Sequence, residues 1–135
     1  MGTGTEYIYM LEEDPDDRII TSETLNELGI GIPFFYFSDP DELISSLHSG
    51  KRPSLILLDY QSATSPGLEL LKTLKSSGSF NDIPVVVLGE LSLRPMIREC
   101  YSLGANSYIT KPSDIQQIQL KIKTFIEYWF TVAEI

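Results

Sequence analysis

Five short apolar runs without a helical period are the feature of this sequence that most limits its fold. The runs are Tyr7-Ile8-Tyr9-Met10-Leu11, Phe34-Phe35-Tyr36-Phe37, Leu55-Ile56-Leu57-Leu58, Val85-Val86-Val87-Leu88 and Tyr108-Ile109. A parallel strand that is covered on both faces loses the alternation of apolar and polar residues. Each run therefore predicts a buried strand.

Stretches in which apolar residues have helical spacing lie between and after these runs. Their apolar positions are Ile19, Ile20, Leu25 and Leu28; Leu43, Ile44 and Leu47; Leu68, Leu71 and Leu74; Met96, Ile97, Cys100 and Leu103; and Ile115, Ile118, Ile122, Phe125, Ile126 and Trp129. Residues typical of helix starts and ends flank them, at Asp14-Pro15, Asp39-Pro40, Ser113, Gly29, Gly50, Gly78 and Gly104. Strict alternation of strand and helix predicts an α/β fold, a doubly wound parallel sheet of five strands with helices on both faces.

Charge, cysteine content and hydropathy exclude several kinds of partner, metal site and membrane segment. Nineteen acidic residues against ten basic ones give a net charge of −9, which argues against nucleic acid and against an anionic membrane as partners. Cys100 is the only cysteine, so neither an internal disulfide nor a cysteine zinc cluster can form. No apolar stretch approaches the roughly 20 residues of a membrane helix. We expect a cytoplasmic protein that forms one domain over residues 1–135, with no output domain.

Charged residues stand where the predicted strands end. Glu12, Glu13 and Asp14 follow the first strand, Asp59 ends the third, and Lys111 follows the fifth. The carboxyl ends of parallel strands meet at one edge of a doubly wound sheet, where ligands bind. Carboxylates gathered at this edge repel one another unless a cation lies among them, and Mg²⁺ prefers such oxygens. Because Lys111 can neutralise phosphoryl oxygens, the set predicts phosphoryl transfer with Asp59 as the nucleophile.

Five segments carry a resemblance to a known family. They are Tyr9 to Asp17, Leu57 to Tyr60, Gly67 to Leu71, Ile83 to Leu88 and Gly104 to Pro112. Together with the 52 positions that separate Asp59 from Lys111, they resemble the response-regulator receiver family of bacterial two-component systems across essentially the whole chain. The acidic segment 13–18 and the aromatic ending Tyr128-Trp129-Phe130 are most similar to the small regulators that pair with bacterial phytochrome histidine kinases.

The resemblance implies a flavodoxin-like strand order 2-1-3-4-5 and a phosphoacceptor signalling domain rather than an enzyme. It further implies that Glu13 and Asp59 bind Mg²⁺ directly, Glu12 through water and Gln61 through its backbone carbonyl, with Tyr108 at the aromatic switch position. The phosphoryl donor would be a sensor histidine kinase or a phosphotransfer protein. The target would be a downstream protein that the sequence does not name.

Gly89 departs from the family pattern, which has Ser or Thr at the end of strand four. The hydroxyl missing here would bind a phosphoryl oxygen, and a hydrogen bond to a charged group contributes about 1.5–3 kcal/mol. Its absence weakens the expected coupling between Asp59 and Tyr108. Glu13 also departs, since the family has Asp there, and its extra methylene moves the carboxylate away from the position a metal ion needs.

Other functions compete with the phosphoacceptor receiver. Gly89 and Glu13 favour a pseudo-receiver, an interaction module that has lost phosphorylation or its readout. A flavin or nucleotide enzyme ranks last, because the acidic residues after the first strand would repel a phosphate. Spare apolar residues on the last helix, notably Leu120, Phe130 and Val132, indicate a contact with a partner protein or in a homodimer, or packing of the chain end on its own sheet.

Overall fold

The computed structural model describes residues 7–12, 19, 22–23, 27, 31–50, 52–60, 66–89, 93–110 and 115–129. The strands are β1 (Ile8–Leu11), β2 (Phe34–Phe37), β3 (Leu55–Tyr60), β4 (Val85–Gly89) and β5 (Ser107–Thr110). The helices are α1 (Pro40–His48), α2 (Pro66–Ser76), α3 (Arg94–Ser102) and α4 (Ile115–Glu127). Between β1 and β2 the described residues Ile19, Ser22, Glu23 and Glu27 are helical.

The five strands form one parallel sheet in the order β2-β1-β3-β4-β5. Strand β1 lies between β2 and β3. The chain therefore places β2 on one side of β1 and then adds β3, β4 and β5 in turn on the other side. In such a sheet the carboxyl ends of β1 and β3, where the strand order reverses, face a crevice. The predicted fold class and strand order are confirmed.

A hydrophobic core lies on each face of the sheet. Side chains of α1, α2 and α3 pack on one face, with Leu43, Leu71 and Cys100 fully buried there. Helix α4 covers the other face through Ile126, with Phe125 and Trp129 partly buried beside it. Most of the predicted stripe residues whose side chains the structure describes make these contacts, because an amphipathic helix buries its apolar side on the sheet. Ile19 is an exception, since it is 54% exposed, and Ile97 belongs to neither cluster.

Burial at the two edges of the sheet differs from the prediction. We expected all five strands to be buried, but β2 and β5 are the edge strands and their residues are only half-buried or exposed. Phe35 of β2 is 47% exposed and makes edge-on ring contacts with Tyr7 and Tyr9. An edge strand lacks one neighbour, so apolar side chains cannot be fully covered there.

The ends of the helices follow the predicted chemistry where the structure describes them. Asp39 caps α1, since its carboxylate accepts a hydrogen bond from the Asp41 backbone N–H at 2.9 Å and Pro40 occupies the first turn. Gly50 and Gly104 have positive φ angles of 97° and 106°, the left-handed conformation that favours glycine after a helix. Gly78 lacks a positive φ, and the predicted signals at Asp14, Gly29 and Ser113 lie outside the described residues.

Crossing a membrane requires a helix that is both long and apolar. None of the helices within the ranges given above combines the two properties.

Candidate functional site at the carboxyl edge of the sheet

Glu12 and Asp59 stand side by side at the carboxyl edge of the sheet. Leu11 of β1 pairs with Leu58 of β3, and each acidic residue follows one of these partners directly. Neighbouring strands lie about 4.8 Å apart, so the two residues are adjacent across the ladder. The Glu12 backbone N–H also donates a hydrogen bond to the Phe37 carbonyl at 2.9 Å, which ties this position to the end of β2.

Both acidic residues are buried. Glu12 is 0% exposed and Asp59 is 6% exposed, and they are the buried polar or charged residues within the described part of the chain. Two carboxylates held side by side away from water repel one another unless positive charge or hydrogen-bond donors compensate them. A buried acidic pair at this edge of the sheet is a candidate functional position.

The structure describes part of the predicted site. Of the residues proposed to hold a metal ion or a phosphoryl group, Glu13, Gln61 and Lys111 lie outside the described residues. In the ranges that are described, no three His, Cys, Asp or Glu side chains come together as a metal-binding group. The site is thus defined here by the adjacent pair Glu12 and Asp59.

Gly89 and Tyr108, the two predicted switch residues, meet closely. Gly89 ends β4, pairs with Tyr60 on one side and with Thr110 on the other, and is buried. A Cβ built on Gly89 would overlap the Oη and Cζ atoms of Tyr108 and lie 3.1 Å from its Cε1. The Tyr108 ring therefore reaches across from β5 and occupies the space that a side chain at position 89 would need.

Tyr101 is a residue of this region that the sequence analysis did not single out. The Tyr108 backbone N–H donates a hydrogen bond to the Tyr101 hydroxyl at 3.1 Å. This bond ties helix α3 to the edge strand β5 and satisfies a backbone donor that has no strand to pair with. Tyr101 lies on the exposed side of α3, and its spacing in the sequence carries no signal for this contact.

The fold defines a class of protein, the doubly wound α/β domains, in which ligands generally bind at the carboxyl ends of the strands. Within that class the sequence identifies the family. Residues 8–123 match the model of the response regulator receiver domain, and the chain belongs to this family. The resemblance seen in the sequence is thereby confirmed. Receiver domains are signalling domains of two-component systems and not enzymes in the usual sense.

Known proteins agree with this assignment. The chain is 32% identical over 109 residues to the two-component response regulator ARR17 of Arabidopsis thaliana, covering 76% of this chain and 66% of that one. It is similar to the crystal structure of the phosphorylated cyanobacterial phytochrome response regulator RcpA, with a TM-score of 0.85 and 29% identity over 96% of each chain. The Mn²⁺-bound response regulator Rcp1 shares the fold, with a TM-score of 0.83 and 24% identity over 96% of this chain and 98% of that one.

The chain spans only part of the curated relatives that it matches. It covers between 32% and 66% of the length of five Arabidopsis response regulators. What those proteins do beyond the shared receiver domain is therefore not carried over to this chain.

Proposed function

We propose that this chain is a phosphoacceptor receiver, in which Asp59 accepts a phosphoryl group in a reaction that depends on Mg²⁺. The observation that carries the proposal is the burial of Asp59 beside Glu12 at the carboxyl edge of the sheet. Adjacent carboxylates at the carboxyl edge of a doubly wound sheet are typical of a cation-binding site. This placement supports a chemical role, and for this reason we do not favour the pseudo-receiver alternative.

The residues at this edge fit a divalent metal ion. Carboxylate oxygens are the ligands that Mg²⁺ prefers, and a cation would relieve the repulsion between Glu12 and Asp59. We propose Glu12, Glu13, Asp59 and the backbone carbonyl of Gln61 as the residues that hold it. Bound there, the ion would supply positive charge to offset that of the transferring phosphoryl group.

The chain's own residues would perform the transfer. A carboxylate oxygen of Asp59 attacks phosphorus, the bond between phosphorus and the donor breaks, and the donor leaves with the electron pair. Burial of Asp59 restricts the motion of its side chain, and a restricted nucleophile favours in-line attack. Lys111, which we place on the same rim from its sequence position, would pair with a phosphoryl oxygen.

We further propose how the receiver connects to other proteins. The donor would be a sensor histidine kinase or a phosphotransfer protein, and the similarity to RcpA supports a phytochrome kinase in particular. A downstream protein would read the phosphorylated state, and a homodimer through α4 would use the exposed Leu120 side chain. The cytoplasmic location, a single domain over 1–135 and the absence of nucleic acid and membrane partners remain predictions from the sequence.

Intact-protein mass spectrometry tests the proposal directly. The protein is incubated with Mg²⁺ and acetyl phosphate, a small-molecule phosphoryl donor, and then weighed. We expect the mass of one phosphoryl group to be added to the parent protein and to disappear when EDTA replaces Mg²⁺. Asp59→Asn removes the nucleophile and is expected to abolish the added mass.

Asp82→Asn is the matched control, because Asp82 is an exposed aspartate that precedes β4, at the end of the sheet opposite the site. It should be labelled as the parent protein is. Absence of phosphoryl mass on the parent, under conditions that label a receiver known to accept it, would overturn the proposed function. Equal labelling of Asp59→Asn would overturn the choice of residue.

A further inference from the structure

We infer that Gly89 locks Tyr108 in an inward position, so that the orientation of the Tyr108 ring does not depend on the state of Asp59. The first half of this inference concerns the unmodified protein and is independent of the proposed function. The second half, insensitivity to phosphorylation, rests on the proposed function.

The contact between the two residues is the primary observation. The hydroxyl end of Tyr108 occupies the position of the missing Cβ of Gly89, so that even one methyl group at residue 89 would collide with the ring. A side chain at this position and the inward ring therefore exclude each other. With glycine at residue 89, nothing on β4 competes with Tyr108 for the space.

Two further contacts hold Tyr108 in place. Its ring packs against the core cluster on the face of the sheet covered by α1, α2 and α3. Its backbone N–H donates to the Tyr101 hydroxyl, so the residue is fixed at its backbone by α3 and at its ring by the core. Rotation of the ring outward would expose aromatic surface and leave an unfilled cavity beside Gly89, and both changes oppose it.

A ligand shifts a conformational equilibrium only through a difference in its interactions with the two states. Residue 89 has no hydroxyl that could bind a phosphoryl group on Asp59 and so displace the end of β4. The space that the Tyr108 ring needs beside Gly89 is already present in the unmodified protein. Any change that a phosphoryl group causes must therefore be transmitted through other residues than Tyr108.

Nuclear magnetic resonance of the tyrosine rings tests the lock. The protein is labelled with tyrosine carrying ¹³C at the ring ε positions, the Tyr108 signal is assigned with Tyr108→Phe, and a soluble gadolinium chelate is added. Buried Tyr9 and exposed Tyr128 serve as internal references. We expect the relaxation enhancement of half-buried Tyr108 to lie between those of Tyr9 and Tyr128 in the parent protein. In Gly89→Ala it should increase several-fold toward the value of Tyr128.

Gly78→Ala is the matched control, because a Cβ added there meets no atom within 4 Å. It should leave the Tyr108 signal unchanged. If Gly89→Ala impairs folding, the same question is answered by thermal unfolding in a Tyr108→Ala background. There the ring is absent, and adding Ala at residue 89 should no longer lower the melting temperature. An equal loss in both backgrounds, or an unshifted Tyr108 signal in folded Gly89→Ala, would overturn the lock.

The second half is tested by adding Mg²⁺ and acetyl phosphate to the labelled parent protein, with phosphorylation followed by mass. We expect the Tyr108 relaxation enhancement to be unchanged in protein that carries the phosphoryl group. A several-fold change on phosphorylation would overturn the inference while leaving the proposed function intact. If no phosphoryl group is added, the proposed function fails and the lock in the unmodified protein stands on its own measurement.

Discussion

Cys100 shows how burial changes the chemistry of a side chain. It lies on the inner side of α3 and is 0% exposed. Burial, with a smaller effect of the neighbouring Glu99 carboxylate, raises the pKa of the thiol to about 11. Because the thiolate is the reactive form, the single cysteine of this chain is protected from modification while the protein is folded.

We expect Cys100 to react slowly with iodoacetamide in the native protein at pH 8. A pKa of about 11 in place of the ordinary 9.0 lowers the thiolate fraction by about 100-fold. The second-order rate of labelling, measured by mass with and without urea, should rise at least by that factor on unfolding, since the side chain also becomes accessible. Similar rates in both states would contradict the prediction, and Cys100→Ser serves as the unlabelled control.

The same raised pKa has a consequence for stability. The folded state favours the neutral thiol, so its contribution is fully present below the unfolded pKa of about 9. It is lost as the pH rises from about 9 to about 11, because the unfolded chain ionises first. Cys100→Ser should therefore lose less stability over this interval than the parent protein.

At the scale of secondary-structure elements, a hydrogen-bonded junction joins α2, β4 and β5 at the end of the sheet opposite the site. The Asn106 side-chain oxygen accepts hydrogen bonds from the Val85 backbone N–H at 2.9 Å and from Lys75 Nζ at 3.1 Å. Lys75 Nζ also donates to the Ile83 carbonyl at 2.9 Å. Burial lowers the pKa of the Lys75 ammonium, and Asp82 partly offsets this effect. One asparagine thus aligns the starts of two strands.

Asn106→Ala is expected to destabilise the fold by about 1–3 kcal/mol, because the N–H of buried Val85 is left without its acceptor. Urea unfolding, with an unchanged dependence on urea concentration, measures this difference. Asn81→Ala is the control. Asn81 takes part in this junction through its backbone carbonyl, which accepts a hydrogen bond from Lys75 and is kept in the variant. The free energy of unfolding of Asn81→Ala should therefore stay within about 0.5 kcal/mol of the parent value. Equal effects of the two substitutions would exclude a role for the Asn106 side chain.

At the scale of the whole molecule, we expect the proposed site to lower the stability of the fold. The sheet brings Glu12 and Asp59 together at its carboxyl edge, inside a protein whose net charge is already −9. Proteins commonly tolerate such a concentration of charge only where function requires it. We therefore expect that a substitution which removes negative charge from this acidic edge stabilises the fold.

Asp59→Asn is expected to raise the melting temperature by several degrees when Mg²⁺ is absent, because it removes one of two adjacent buried charges. A gain of about 1–2 kcal/mol corresponds to this shift for a domain of this size. Millimolar Mg²⁺ should raise the melting temperature of the parent protein and not that of Asp59→Asn. Differential scanning calorimetry measures both effects.

Glu69→Gln, a change of an exposed carboxylate on α2, is the control and should behave as the parent protein does in both conditions. A lower melting temperature for Asp59→Asn without Mg²⁺ would contradict the electrostatic account of the site. An equal Mg²⁺ response in Asp59→Asn would show that the ion binds elsewhere.

Local patterns in the sequence were sufficient for the fold class and for the position of Glu12 and Asp59 at one edge of the sheet. Apolar runs without helical period, amphipathic stripes and caps such as Asp39 report on each segment's own burial and hydrogen bonding, which depend on nearby residues in the chain. Parallel strands end at one edge of a sheet, so strand order along the chain was enough to place the acidic residues after β1 and at the end of β3 together. Leu11 and Leu58, which directly precede Glu12 and Asp59, are partners in the sheet.

Tertiary structure alone decided the burial of the edge strands and the contacts around Tyr108. The run Phe34–Phe37 has the composition of a buried strand, yet its place at the edge of the sheet leaves Phe35 exposed. The absence of a side chain at Gly89 was visible in the sequence as the loss of a hydroxyl, whereas its filling by the Tyr108 ring was not. These features depend on which strands become neighbours and on how side chains far apart in the chain share one volume, and packing in three dimensions determines both.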